Sequence, residues 1–209
     1  MKYIIMCGGV YRRWEKPRQL LPYKGEPIVA RTIRLLRESG VEDIAISTNN
    51  EAFAEFGVPL LKHENSYNAI AYNEVSGHWC DAFYPTDEPT CYLMGDVIFS
   101  EAAIKTIVET EVDGIMLFAS APPFAKDYPK KWAEPFALKV TDTDRLHEAI
   151  EDVKRMDAEG WFYRKPIAWE LWNVISRGTK GDPNWIDYKS YVAINDWTCD
   201  IDDPSEVRR

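Results

Sequence analysis

Tyr3-Ile4-Ile5-Met6-Cys7-Gly8-Gly9 opens the chain, and this stretch does most to decide the fold class. Its apolar run has the length and composition of a short buried β-strand, and two glycines end it. Because glycine lacks a Cβ, backbone N–H groups at such a point can approach a ligand closely. The stretch predicts a strand over residues 3–6 that delivers its last residues to a ligand-binding loop.

The loop after the glycines is basic and predicts a phosphate site. Four cationic residues follow within ten positions of the glycines, namely Arg12, Arg13, Lys16 and Arg18. The spacing matches neither the P-loop nor the dinucleotide-binding fingerprint. An exposed basic turn after an edge strand is the alternative that the residues alone leave open.

Short apolar runs alternate with segments of helical period along the rest of the chain. This alternation is typical of an α/β protein with a Rossmann-like, mostly parallel sheet flanked by helices. Further strands are predicted over 43–48, 58–61, 91–94, 114–119 and 136–140. Helices are predicted from Pro27 to a stop at Gly40, over 68–79, after an N-cap at Ser100, around 146–153, and over 166–176.

Composition narrows the class of protein. The 209 residues include 25 Lys and Arg against 34 Asp and Glu, giving a formal charge of −9. With 45% hydrophobic and 28% charged residues the chain fits a folded domain, and its acidity argues against nucleic acid as a partner. No window approaches the roughly 20 apolar residues that span a bilayer. We therefore expect a cytoplasmic protein with no nucleic-acid or membrane partner, and the four scattered cysteines predict neither disulfides nor a zinc site.

Two acidic segments are candidates for holding a metal ion. Asp96 follows the predicted strand 91–94, and in open α/β sheets ligands bind beyond the carboxyl ends of the strands. Asp200 and Asp202 stand two apart, so in extended backbone both point to one face. Carboxylates at such a place suit Mg²⁺, which takes one or two of them together with phosphate oxygens and water. The alternatives are a turn residue for Asp96 and a helix N-terminal cap for the later pair.

Three motifs together resemble the nucleoside-triphosphate transferase superfamily. The first joins Gly8-Gly9 and Arg13 to Arg18-Gln19-Leu20-Leu21-Pro22, and the second is Met94-Gly95-Asp96. The third, Asp200-Ile201-Asp202-Asp203-Pro204, is similar to a segment that supplies a second metal ligand in several cytidylyltransferases. A weaker similarity to sugar-phosphate and choline-phosphate members lies in Asn65-Ser66-Tyr67 with Asn73 and Ser76.

The resemblance implies an activity and a role for each motif. It implies a Mg²⁺-dependent nucleotidyltransferase that joins an NTP, with CTP favoured, to a small phosphorylated acceptor for surface polysaccharide biosynthesis or decoration. The roles that it implies are nucleotide binding by Cys7, Gly8 and Gly9, phosphate contacts by Arg13, Lys16 and Arg18, and metal binding by Asp96, Asp200 and Asp202. The family usually has Lys where this chain has Arg18, so the contact at the reacting centre falls to Arg18 or Lys16.

A change of composition from Pro122, where four prolines break up an aromatic-rich stretch, divides one domain into three parts when it is taken with the resemblance. Residues 1–120 would form the nucleotide-binding half, 121–195 a smaller elaborated acceptor lobe, and 196–209 the second metal-binding segment. Within the lobe, Lys139 and Lys165 are the candidate acceptor contacts, and the alternative for each is a surface lysine without such a role. A homodimer through the proline-rich stretch is a further expectation. The aromatic residues of 161–191 predict either a ligand cage or the packing of the lobe.

Two other functions remain open from the residues. A glycosyltransferase of related fold would carry D-x-D after the central strand, whereas this chain has Gly95-Asp96-Val97-Ile98. A catalytically inactive nucleotide-binding module that regulates a partner is the other alternative, and the joint presence of Arg13, Asp96 and Asp202 argues against it.

Overall fold

A seven-stranded sheet forms the centre of the protein in the computed structural model, which describes residues 1–9, 16–68, 77–120, 134–162, 164–177 and 189–202. The strands of this sheet are β1 (Lys2–Met6), β4 (Ile44–Ser47), β5 (Leu60–Leu61), β6 (Thr90–Met94), β8 (Ile115–Ser120), β9 (Pro135–Val140) and β10 (Tyr191–Ile194). Short strands outside it are β2 (Pro22–Tyr23), β3 (Glu26–Pro27), β7 (Val97–Ile98) and β11 (Cys199–Asp200).

The central sheet is mostly parallel, as the sequence predicts. Its spatial order is β10-β8-β9-β6-β1-β4-β5. β9 is antiparallel to both of its neighbours, and every other pairing in the sheet is parallel. β1 lies between β4 and β6, so the opening stretch of the chain sits inside the sheet with its glycines at the carboxyl edge.

Helices cover the sheet at the positions that the apolar periodicity indicates. They are α1 (Ile28–Glu38), α2 (Glu101–Glu109), α3 (Thr143–Ala158) and α4 (Ala168–Arg177). α1 begins directly after Pro27, whose fixed φ suits a helix start, and Gly40 follows its end with φ of +82°. Ser100 caps α2 by accepting a hydrogen bond from the backbone N–H of Ala103.

The core lies on both faces of the sheet, which is why the strands read as continuous apolar runs. All five residues of β6 are buried, and Ile4, Ile5 and Leu93 are fully enclosed. Cys7, Cys80 and Cys91 are buried thiols and Cys199 is a partly buried one. Among the helices that the structure describes, none has the length and apolar character needed to cross a membrane.

The described residues cover two expectations about chain organisation only in part. The helix predicted over 68–79 falls mainly in 69–76, outside the described residues, and its two ends belong to short 3₁₀ helices, Ser66–Asn68 and Trp79–Ala82. The described part of the predicted acceptor lobe shares the central sheet, because β9 lies between β8 and β6 and β10 pairs with β8. The division of the chain into two functional halves stays a prediction.

Candidate active site

A crevice opens where β1 and β6 end side by side. The backbone N–H of Gly95 donates to the Met6 carbonyl at 3.1 Å, and a Cβ on Gly95 would lie 2.3 Å from that oxygen. Only glycine therefore permits this approach without a shift of the backbone. The resulting cavity has a volume of about 240 Å³, and its lining includes Gly8, Gly9, Arg18, Tyr67, Trp79 and Asp96.

The two glycines of the basic loop serve different physical needs. A Cβ on Gly8 would lie 1.7 Å from Oδ1 of Asn68, whose side-chain amide donates to Asn65 Oδ1 and to the Asp81 carbonyl. Gly8 is thus required by an internal contact, whatever ligand it meets. Gly9 has φ of +95°, a conformation that L side chains rarely adopt, and it turns the chain at the cavity wall.

Arg18 joins the two predicted acidic segments. Its Nη2 lies 2.7 Å from Asp96 Oδ2, and its Nη1 lies 3.2 Å from Asp202 Oδ1. Nη1 also donates to the Ile201 carbonyl at 2.5 Å. One guanidinium therefore brings together the loop after the glycines, the turn after β6 and the last described residues of the chain.

The C-terminal segment reaches the crevice because several contacts hold it along β7 and the start of α2. β11 pairs with β7 in antiparallel register, and the Ile201 N–H donates to the Asp96 carbonyl at 3.0 Å. Ile201 is fully buried in a small cluster with Ile28 and Ile98. Thr198 is also buried, and its hydroxyl oxygen accepts from the Ser100 N–H. The short β7–β11 pair and the buried Ile201 thus bring together two acidic segments that are far apart in sequence.

The carboxylates of Asp96 and Asp202 fit a site for one divalent cation that is completed by a phosphate. Both bind the same guanidinium, and the Asp96 side chain is 25% exposed whereas that of Asp202 is 58% exposed. Asp200 lies on β11 opposite Val97 and two residues from Asp202. In the parts of the chain that are described, no group of three or more His, Cys, Asp or Glu could hold a metal by itself. Two carboxylates agree with the habit of Mg²⁺ to take further ligands from substrate and water.

The partly buried rings of Tyr67 and Trp79, with the buried Gln19, form another wall of the crevice. Burial raises the pKa of Tyr67 to about 12, with the negative charge of Asp96 as a smaller contribution, so its phenol stays protonated at neutral pH. Burial likewise raises the pKa of the Cys7 thiol well above its ordinary range, and that thiol stays neutral. Gln19 and Trp79 line the same cavity, and Gln19 is 3% exposed.

Sequence reasoning did not identify every residue of this wall. Gln19 lies within the motif after Arg18 but had no role of its own, and Trp79 carried no motif. Asn68, which packs against Gly8, carried no motif either. Neighbouring Asn65 and Tyr67 were the available signal, since they belong to the weaker similarity noted above.

Among the described residues, not every predicted site residue reaches the crevice. Lys16 is exposed at the start of the described loop. Arg13 lies outside the described residues, and its role stays a prediction. Lys139 pairs with Cys91 at the amino-terminal half of β6, away from the edge that carries Asp96. Its amine donates to the carbonyls of Ile107, Val108 and Thr110 at 2.7 to 3.0 Å. The predicted acceptor contact is corrected on this point, because the amine of Lys139 holds the end of α2.

Lys165 and the aromatic cluster also differ from a ready-made acceptor site. The Lys165 side chain is 87% exposed, and its amine lies 2.8 Å from Asp157 Oδ2. Trp169, Trp172 and Tyr191 are buried and in ring contact, with centroids 5.2 and 5.6 Å apart in the two successive pairs. These three rings pack the core, as the second of the two interpretations holds. Tyr163, Trp185 and Tyr188 lie outside the described residues.

Comparison with known proteins places the fold and the family. The family described as MobA-like NTP transferase domain matches residues 3–158. A bifunctional IPC transferase and DIPP synthase from Thermococcus kodakarensis is 24% identical over 221 residues, covering 99% of this chain and 49% of that protein. The chain therefore spans about half the length of this curated relative.

Solved structures share the architecture at low sequence identity. The inositol-1-phosphate CTP transferase from T. maritima is 14% identical with a TM-score of 0.58, covering 98% of this chain and 90% of that one. The CTP:phosphocholine cytidylyltransferase from Streptococcus pneumoniae is 13% identical with a TM-score of 0.53, covering 99% and 96% of the two chains. At such identities the likeness shows the fold alone.

Proposed function

The chain belongs to the MobA-like NTP transferase domain family, and from that premise we propose a Mg²⁺-dependent nucleotidyltransferase. It would transfer NMP from an NTP, with CTP favoured, to a small phosphorylated acceptor and release pyrophosphate. The single observation that carries the proposal is that Arg18, Asp96 and Asp202 meet beside Gly8 and Gly9 at the carboxyl ends of β1 and β6.

Asp96 and Asp202 are the residues that would hold Mg²⁺, with Asp200 close by on β11. Their carboxylates already share one cation, and hard oxygen ligands are those that Mg²⁺ prefers. When bound there, Mg²⁺ would neutralise charge on the phosphate at which transfer takes place.

The chain's own residues would bind and orient the two substrates. The loop at Cys7, Gly8 and Gly9 would lie against the nucleotide. Arg18 would supply a charge-assisted donor fork for phosphate oxygens, with Lys16 at the rim of the same loop. Arg13 is proposed, from the resemblance alone, to clamp the β and γ phosphates.

The transfer itself needs little from a protein base. An oxygen of the acceptor phosphate attacks the α-phosphorus of the NTP, the bond from that phosphorus to the bridging oxygen breaks, and pyrophosphate leaves with the bonding electron pair. The acceptor phosphate is already an anion at neutral pH, so no proton has to be removed first. Catalysis then consists of positioning and charge neutralisation. Tyr67 and Cys7, whose pKa values burial raises, both stay neutral and would act as no base here.

Two similarities favour CTP and a phosphate-ester acceptor. The structures described above include enzymes named for CTP together with inositol 1-phosphate and phosphocholine. The Asp200-Ile201-Asp202 segment is the motif through which this chain resembles cytidylyltransferases. A role in surface polysaccharide biosynthesis or decoration, a cytoplasmic location and a homodimer through the proline-rich segment belong to the same proposal.

Pyrophosphate release tests this function directly. The purified chain is incubated with Mg²⁺ and each of CTP, UTP, GTP, ATP and dTTP against inositol phosphate, choline phosphate and sugar phosphates. We expect release with one NTP and acceptor pair, and none from Asp96→Asn. Silence with every pair while CTP still binds in calorimetry would favour the inactive nucleotide-binding module. Silence without any NTP binding would overturn the assignment of the crevice.

A further inference from the structure

We propose that Arg18 is an internal counter-cation that competes with the divalent metal for Asp96 and Asp202, so that the metal enters together with the nucleotide. The inference rests on the proposed function, since it concerns the order in which that site is filled. It starts from three contacts of one guanidinium, with Asp96, with Asp202 and with the Ile201 carbonyl.

Electrostatics explains why a cation is needed at this place before any substrate binds. Asp96 and Asp202 come from segments far apart in sequence and are held close by β7, β11 and the Ile201 backbone. Two carboxylates brought together repel each other, and the chain as a whole carries −9. A guanidinium stays charged at every accessible pH and neutralises part of that repulsion.

The partial burial of Arg18 and Asp96 makes Arg18 an effective competitor, although Asp202 is 58% exposed. The side chains of Arg18 and Asp96 are 21% and 25% exposed, so their attraction is screened less than that of a surface pair. Mg²⁺ gives up its hydration shell reluctantly. A lone Mg²⁺ would have to displace this guanidinium and lose water in return for two carboxylates.

A nucleoside triphosphate changes the competition for both the metal and the guanidinium of Arg18. Its oxygens complete the shell of the metal, and they offer the guanidinium of Arg18 new acceptors in place of Asp96 and Asp202. Arg18 would then pass from carboxylates to phosphate as the metal takes its position. This exchange gives a reason for Arg at a place where the family usually has Lys, because the planar fork of a guanidinium fixes the directions of its donors, whereas an ammonium acts as a compact point charge.

Mn²⁺ binding to the nucleotide-free protein tests the proposal, with electron paramagnetic resonance of free Mn²⁺ as the readout at fixed ionic strength. We expect weak binding by the unaltered protein and a gain in affinity of about tenfold in Arg18→Gln, which is in the usual range for such couplings. Arg18→Lys should fall between the two. Adding Asp96→Asn to Arg18→Gln should abolish the gain.

Arg34→Gln is the matched control for a loss of positive charge. Arg34 also bridges two carboxylates, those of Glu26 and Glu38, but on the surface of α1. Its removal should leave Mn²⁺ affinity unchanged. An equal gain in Arg34→Gln would mean that net charge alone is responsible, and equal affinity of Arg18→Gln and the unaltered protein would overturn the proposal.

Thermal unfolding supplies a second readout that does not depend on activity. Mg²⁺ without nucleotide should raise the Tm of Arg18→Gln, or of Arg18→Lys if the first variant does not fold, and should leave that of the unaltered protein unchanged. A Tm of the unaltered protein that rises as much as that of the variant would contradict the competition. Pyrophosphate release separates the two proposals, because release with no Mn²⁺ gain refutes the competition alone, and a Mn²⁺ gain with no release refutes the transfer alone.

Discussion

Arg18 and Lys139 are both removed from solvent, at least in part, and they differ in their role. The charge of Arg18 belongs to the candidate site, whereas that of Lys139 stabilises the fold. Arg18 lies at the carboxyl edge of the sheet, is partly exposed, and binds two carboxylates. Lys139 lies toward the other end of β6, is 4% exposed, and donates to three backbone carbonyls of α2 and its C-terminal turn.

The partners of each cation explain the difference. The carbonyls that bind Lys139 are orphan acceptors at the end of a helix, which need a donor in the folded protein. These carbonyls carry no net charge, so they do not form a binding site for a metal ion or a charged ligand. The carboxylates that bind Arg18 are themselves ligands for metals, and a polyanion can draw the guanidinium away. A cation held by carboxylates at a strand end is therefore a better indicator of a site than a cation held by backbone.

Asp96→Asn is expected to have the largest effect on this comparison, because it removes charge from the Arg18 side only. Turnover should fall by at least about a hundredfold, as is typical when one preorganised electrostatic group is lost. The fold should persist, since Asn keeps the size of the side chain. Initial rates of pyrophosphate release alongside circular dichroism check this. A near-normal rate in a folded variant would remove Asp96 from the site.

Lys139→Met should have the opposite effect to Asp96→Asn, with lower stability and unchanged turnover. The free energy of unfolding should fall by about 2 kcal/mol, because three carbonyls lose a charged donor. Turnover of the folded protein should not change, since the lysine is remote from Asp96. Denaturant unfolding and rates at low temperature measure the two quantities. Lys105→Met, at an exposed position of α2, is the control. A loss of activity without a loss of stability in Lys139→Met would restore Lys139 as an acceptor contact.

His63 is a second buried residue whose charge state concerns the stability of the fold, as that of Lys139 does. Burial lowers its pKa to about 4 from an ordinary 6.5, so the unfolded chain binds the proton more readily. Its contribution to stability is complete above pH 6.5 and is lost as the pH falls toward 4. Between pH 7 and 5.5 we expect a loss of about 1 kcal/mol that His63→Gln does not show. Identical pH profiles of the two proteins in denaturant unfolding would contradict this.

Lys165→Ala is expected to have the smallest effect. Its amine pairs with Asp157 while most of the side chain is in solvent, and exposed ion pairs contribute little. The equilibrium constant of unfolding and the KM for the acceptor should each change by less than about twofold. A KM raised tenfold with unchanged kcat would instead show that Lys165 binds the acceptor phosphate.

Much of the fold is readable from local patterns, and the site is readable in part. The strands β1, β4, β6 and β8 are continuous apolar runs, because a parallel sheet buried on both faces leaves no polar side on which alternation could show. Membership of the NTP transferase family, expected from three motifs, is confirmed. The motifs also identified Arg18, Asp96 and Asp202, which the structure brings into contact.

What escaped prediction depends on distant contacts. The need for glycine at position 8 comes from Asn68, and a motif written along the chain cannot show that contact. The role of Lys139 depends on the register of β9 against β6, where a shift of one residue would turn the side chain to the other face. The aromatic residues of 161–191 could not be divided into core and cage by composition, because buried rings and ligand-binding rings share the same residue types.

Detection of the transfer product is the measurement that tests the central claim most directly. Mass spectrometry of reactions with CTP, Mg²⁺ and a small phosphate-ester acceptor is compared among the unaltered protein, Asp96→Asn and Lys139→Met at a temperature where all three are folded. The account predicts a product with the mass of CMP joined to the acceptor, formed by the unaltered protein and Lys139→Met and absent with Asp96→Asn. Equal product from Asp96→Asn, or its absence from Lys139→Met alone, would place the chemistry elsewhere than at Arg18, Asp96 and Asp202.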